Sequence, residues 1–361
     1  MKTRISAVRR LFLAAALGAM ISSGCSNDEA QSASAELSLD TSDASLRTVP
    51  FITLRNRTGS TKPASYFGGE RSVMRSGECD VSYAPVKALQ HIAEKASFYV
   101  PEDIVKLDAI REFPMDDIWA GIEAGRRGKR PILYSHGFYM GFERSCKRAS
   151  LFKKTLGLAG RFLLFSWPSD GAALNYTRDE SDLYWSANPL RETLTDMIDR
   201  FGMGNVDIVA HSLGTRGVML ALFTMAIAQR GEQPLVNQVV LIAPDIDAQI
   251  FEQYLSLIRP LARNITIYVS SNDSALSLSR QVHGYPRLGQ AGKHLEGLAG
   301  VEIIDLSELP VRTATGHVYH LYHDLVTDDL SQLLNDEKPA SQRSNLRQES
   351  KTSWRLISPA D

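Results

Sequence analysis

An excess of charge of either sign is missing from this chain. Forty Lys and Arg stand against 41 Asp and Glu in 361 residues. With no basic surplus, no nucleic-acid partner is implied. Cysteine is scarce, three in all, and Cys79 and Cys146 have no metal-like spacing. The sequence therefore implies no metal and no organic cofactor. Internal repeats are absent, and low-complexity composition is confined to the two ends. The one apolar run near the start, Leu11 to Ile21, is too short to span a bilayer as a mature helix.

What the ends do contain reads as processing and tethering. Lys2, Arg4, Arg9 and Arg10 precede the apolar run, which leads into Ser22-Ser23-Gly24-Cys25. This is the pattern of a secretory signal over 1–24. The small residues before Cys25 resemble a bacterial lipobox, with Ser22 where Leu is usual. The expectation is an exported protein lipidated at Cys25 and anchored in a membrane facing the periplasm, with plain secretion as the alternative. Cleavage there removes four cations and takes the net charge from −1 to −5. Residues 25–49 are polar and lack aromatics, as a solvated tether does. In an oxidising compartment Cys79 and Cys146 either form a disulfide or are buried as separate thiols. Residues 335–361 read as a polar tail.

Between the ends, 50–334 reads as one α/β domain. Strand-like runs occupy Pro50–Leu54 and Glu78–Tyr83, with a turn at Arg55–Ser60 between them. From Pro131 the pattern is regular. Strands are expected at Pro131–Ser135, Phe162–Phe165, Val206–Val209, Val236–Ile242, Ile265–Val269 and Val301–Leu306. Helical patterns separate them, such as Leu190, Leu194, Met197, Ile198 and Phe201 on one face. The alternation predicts a doubly wound, mostly parallel sheet of about eight strands. No large insertion follows Val236–Ile242, so no cap domain is expected. The loops Pro168–Tyr184 and Val282–Gly300 would then shape the site.

The chemistry centres on Val206–Gly217. A buried strand turns through Ala210-His211-Ser212-Leu213-Gly214 into a helical pattern. Small residues on both sides of a serine at a strand–helix corner make a nucleophile elbow. The elbow lifts the hydroxyl above the sheet and sets the Leu213 N–H at a helix start, where an oxyanion can bind. A serine nucleophile needs a base, then an acid to orient it, in the chain order Ser, Asp, His. His317, after the last strand and behind Gly316, is the candidate base. His320 and His323 fall inside the expected final helix from Val318. Asp273, past the strand Ile265–Val269, is the candidate acid. Asp245 and Asp247 are rivals whose alternative role is helix capping. The second oxyanion donor is the Phe138 N–H, in the loop His136-Gly137-Phe138. His136 is expected to hold that loop, His211 to support the site, and Trp167 to pack beneath it or wall the acyl pocket. Asp179 is expected to be a structural anchor.

These segments together resemble the bacterial α/β-hydrolases of unknown function. The shared features are Ser135–Phe138, Phe165–Gly171 with Tyr176 and Asp179, and the elbow Ala210–Gly214. Leu241–Asp247, Tyr268–Ser279, Pro286–Gly289 and Gly316–Tyr319 add to them. The resemblance also touches Tyr66–Arg71 and Gly77–Val81, and so spans about Phe51 to Leu334. It implies the α/β-hydrolase fold and a Ser212–Asp273–His317 triad. The leading functional expectation is an esterase acting on small-molecule or lipid esters. Acyl transfer on the same triad is a variant, and a non-catalytic envelope lipoprotein is the alternative.

Overall fold

A computed structural model describes residues 44–83, 104–228, 233–311 and 313–358. The signal segment, Cys25 and most of the tether lie outside the described residues. In chain order the main elements are β1 (Thr48–Arg57), β2 (Phe67–Tyr83), β3 (Val105–Glu112), α1 (Met115–Gly125), β4 (Ile132–Ser135), α2 (Phe142–Thr155) and β5 (Phe162–Ser166). They continue with α3 (Tyr176–Phe201), β6 (Asp207–His211), α4 (Gly214–Ala228), β7 (Val236–Ile242), α5 (Ala248–Ile258) and β8 (Ala262–Val269). The last are α6 (Ser274–His283), β9 (Glu302–Asp305), α7 (Asp324–Leu334), β10 (Leu346–Gln348) and β11 (Ser353–Leu356).

The strands form a sheet in the order β10-β11-β9-β8-β7-β6-β4-β5-β1-β2-β3. From β11 to β1 all neighbours are parallel, and only the outer pairs β1/β2, β2/β3 and β10/β11 are antiparallel. The central strands are buried throughout, which explains their mainly apolar sequences. Alternate side chains feed two cores. Leu133 and Ile208 join the face carrying α1, α3, α4 and α5. Ile132, Tyr134 and Val209 join the face carrying α2 and α7. Cys79 on β2 is bonded to Cys146 on α2, with Cα atoms 6.3 Å apart.

Several sequence expectations change. Among the described residues eleven strands form, against about eight expected, because β3, β10 and β11 carry weak apolar patterns. The polar tail is not free over 335–358. Trp354 and Leu356 are buried, and β11 pairs with β9 in register Ser353↔Ile303. Arg55 is no turn residue, because β1 runs on to Arg57. The final helix starts only at Asp324, after a 3-10 turn at Tyr319–Leu321, so His320 and His323 precede it. The chain after β7 enters α5 directly through 243–247, with no inserted domain.

β4 lies between β5 and β6 in the sheet. The connections from β4 and β6 therefore leave in opposite directions, which opens a crevice at the carboxyl ends of these strands. The pairing Ser135↔Ala210 sets the loop after β4 beside the elbow after β6.

Candidate active site

Ser212 sits at the corner between β6 and α4 with φ 54°. A non-glycine residue pays strain there, of order 1–3 kcal/mol. The surrounding backbone offsets it. The Ser212 N–H donates to the Ile242 carbonyl at 2.9 Å, and the Ser212 carbonyl accepts from Asp245 N–H at 3.2 Å and Thr215 Oγ1 at 2.6 Å. The glycines at the corner are demanded by close approach. A Cβ on Gly214 would lie 2.2 Å from the His136 carbonyl oxygen, and one on Gly137 would lie 2.8 Å from the Ser212 Cβ. The loop after β4 thus packs directly onto the nucleophile.

The Ser212 hydroxyl donates to His317 Nε2 at 2.7 Å, and His317 Nδ1–H donates to Asp273 Oδ2 at 2.6 Å. Asp273 is fully buried at the N-cap of α6, where its other oxygen accepts from the Leu276 N–H at 3.0 Å. Ser212 itself is 6 % exposed. Burial alone would lower the basicity of His317. The charge and hydrogen bond of Asp273, with the more distant charge of Asp245, outweigh it and hold its pKa above the ordinary 6.5. Among the described residues, the N–H groups of Leu213 and Phe138 have no backbone acceptor. Leu213 follows Ser212 in the chain and Phe138 follows Gly137, which packs on the Ser212 Cβ, so both are candidate oxyanion donors.

The loop that carries Phe138 is held from below. His136 is fully buried and stacks on Trp167, ring centroids 4.9 Å apart, while Trp167 Nε1–H donates to the His136 carbonyl at 2.8 Å. Trp167 is fully buried too, so it supports the loop and walls no open pocket. Burial, with the Arg55 charge beside it, pushes the His136 pKa down to about 3. Its Nδ1–H donates to the Gly137 carbonyl at 2.8 Å. Arg55 reaches up from β1 to the Met140 carbonyl (2.6 Å) and Ser166 Oγ (3.0 Å). Asp179, in the first turn of α3, accepts from the Asp170 N–H at 3.1 Å and from Ser169 Oγ. Nothing in the sequence marked Arg55, because a lone arginine after an apolar run reads as the start of a turn.

The rival acids are occupied elsewhere. Asp247 caps α5, accepting from Gln249 and Ile250 N–H groups at 2.8 and 3.3 Å. Asp245 is no cap. It lies in a buried cluster, accepting from Arg287 Nε (2.8 Å), Tyr176 Oη (2.6 Å) and Ser279 Oγ (2.6 Å). Burial raises its pKa, and the charges of Arg216 and Arg287 overcome that and lower it. Tyr176 and Arg216 were invisible to sequence reasoning as members of this cluster. His211 donates from Nε2 to the carbonyl of His317 at 3.1 Å, and its ring lies 4.7 Å from the His317 ring. Burial and the neighbouring histidines keep it neutral. His320 lies 4.4 Å beyond, also buried and held neutral.

Among the described residues, no group of three or more His, Cys, Asp or Glu side chains is placed to hold a metal ion. No described helix is long and apolar enough to cross a membrane.

The model of the alpha/beta hydrolases of unknown function (DUF900) matches residues 122–336. No curated protein matches the chain. Similar solved structures include a predicted CIB-like hydrolase from Thermoplasma acidophilum, at 15% identity and TM-score 0.34, covering 57% of this chain and 88% of that one. An esterase from Pyrobaculum calidifontis is 12% identical, with TM-score 0.33 and coverage of 58% and 77%. Carboxylesterase CesB from Bacillus subtilis is 11% identical, with TM-score 0.33 and coverage of 60% and 86%.

Proposed function

Since this chain belongs to the family of alpha/beta hydrolases of unknown function, we propose that it is a serine hydrolase that cleaves carboxylic esters. The observation that carries the reading is the continuous chain of hydrogen bonds from Ser212 Oγ through His317 to Asp273. Ser212 attacks the ester carbonyl carbon as its proton passes to His317 Nε2. The carbonyl oxygen becomes an oxyanion held by the Leu213 and Phe138 N–H groups. The C–O bond to the alcohol breaks, and His317 returns the proton to the departing alkoxide. Water then attacks the acyl–Ser212 ester, losing its proton to His317, and the carboxylic acid leaves as Ser212 is reprotonated. Asp273 stays ionised throughout and holds His317 in the Nδ1–H tautomer.

The same reading includes export and anchoring by a lipid on Cys25. The Cys79–Cys146 bond supports it, because disulfides persist in oxidising compartments.

The test is hydrolysis of aryl esters of graded chain length by wild type and Ser212→Ala. At least one ester should be turned over by wild type, with the rate falling by about 10⁴-fold or more in the variant. Equal turnover by both proteins would remove Ser212 from the chemistry.

A further inference from the structure

A cleft of about 560 Å³ opens between α3, α4, α5 and the loop after α6. That volume is in the range of small-molecule sites. Its wall is apolar, formed by Leu220, Ile246 and Ile250. Its rim is aromatic, formed by Tyr184, Tyr254 and Tyr285. Ile250 and Tyr285 are 45 % and 56 % exposed, large apolar surfaces left in water. Tyr254 is fixed by stacking on Phe223, with centroids 4.4 Å apart.

The floor selects against anions. Arg216 has five N–H donors and all are engaged. Nε meets the Asp245 carbonyl, Nη1 meets Glu180 and Tyr184 Oη, and Nη2 meets Tyr176 Oη and His283 Nε2. Arg287 is paired with Asp245. Two guanidinium groups thus face two carboxylates, and no cation is left over for an anionic ligand. Asp247 at the margin would repel one. Of the carboxylates, Glu180 and Asp245 are already taken by arginines, and Asp247 is left at the margin.

The cleft and the Ser212 corner share one cluster, because Arg216 lines the cleft and pairs with Asp245, whose N–H donates to the Ser212 carbonyl at 3.2 Å. Arg216 stands four residues after Ser212, in the first turn of α4. Tyr176 is the partition between them. Its ring packs edge-on against Phe138 at 5.0 Å and against His283 at 5.5 Å, and its hydroxyl joins Asp245 and Arg216 on the floor.

We propose that this cleft receives the uncharged, non-reacting part of the substrate. The substrate is then an ester whose aryl or alkyl group reaches past Tyr176, and short or anionic esters are poor substrates. The inference rests on the serine-hydrolase reading above.

Ile250→Trp tests it, because the larger ring fills the cleft from an exposed helix position that tolerates it; an unchanged thermal midpoint verifies the fold. Two ester series are compared, 4-nitrophenyl acetate against octanoate, and methyl against 2-naphthyl butyrate. The ratio of kcat/KM for the bulky over the small ester should fall tenfold or more in at least one series. Ratios within twofold of wild type in both series, in an active enzyme, would overturn the cleft while leaving Ser212 its role. An independent arm uses the Ser212→Ala protein and 2-naphthol, read by the naphthol fluorescence. Saturable binding weakened tenfold or more by Ile250→Trp is expected. Equal binding to both proteins, or none to either, would overturn the assignment. Failure of the hydrolase reading itself shows separately, as wild type inert to every ester.

Discussion

Ser212, His317 and Asp273 sit on three different connections, and each is held by bonds that do not involve the other two. The corner at Ser212 is pinned by Ile242, Thr215 and Asp245. Asp273 is fixed by capping α6. His317 is braced through its carbonyl by His211. The carboxylates then separate by experiment. His317 must be neutral to act as base, so activity should rise with pH through a pKa held above 6.5. Asp273→Asn removes the charge that raises it and leaves burial, which lowers it. The acid limb should shift to lower pH, with kcat down by about 10⁴-fold. Asp245→Asn should act on stability instead. It leaves Arg216 and Arg287 without their buried anion, at a cost of about 3 kcal/mol, and should move the limb less. A pH–rate profile and a thermal melt of each variant decide; a larger limb shift in Asp245→Asn would reverse the two roles. At this scale the three residues that the structure joins by hydrogen bonds, Ser212, His317 and Asp273, were legible as candidates, since each follows a strand-like run directly or by a loop. Arg55 and Arg216 were not. A buried arginine leaves no pattern in sequence, because its partners are mostly backbone carbonyls and residues far along the chain.

At the scale of elements, strands buried on both faces were the easiest to read. Val236–Ile242 is bounded in the structure as its apolar run suggests. Elements tied down by a few side chains were missed. The loop expected over Pro168–Tyr184 is helical from Tyr176, because Asp179 and Tyr176 are drawn inward by Ser169 and Asp245. The C-terminal hairpin reads as polar, since Trp354 and Leu356 are its only buried side chains. It nevertheless covers the edge of β9, which would otherwise expose unpaired backbone. Ending the chain at Ser344 should therefore destabilise the protein by about 3 kcal/mol or more, from the loss of those two side chains. A thermal midpoint lower by roughly 5 °C or more, with concentration-dependent aggregation, is expected. An unchanged midpoint would mean that β11 contributes nothing to the sheet.

Across the whole molecule, the two cores and the parallel sheet exist to bring the ends of β4, β6, β8 and β9 into one crevice. The parallel centre follows from short strands alternating with amphipathic helices, and that much was plain in the sequence. The antiparallel margins were not, because edge strands carry half the apolar pattern of central ones. The disulfide was undecidable from the sequence, since its cysteines are 67 residues apart and meet only after β2 and α2 have packed. The central claim is that this fold exists to present one activated serine. Its most direct test is the intact mass of the folded protein after treatment with a fluorophosphonate, followed by peptide mapping. One phosphonyl adduct per chain, located on Ser212 and absent from Ser212→Ala, is the expected result. A folded wild type that stays unmodified, or an adduct on another residue, would contradict it.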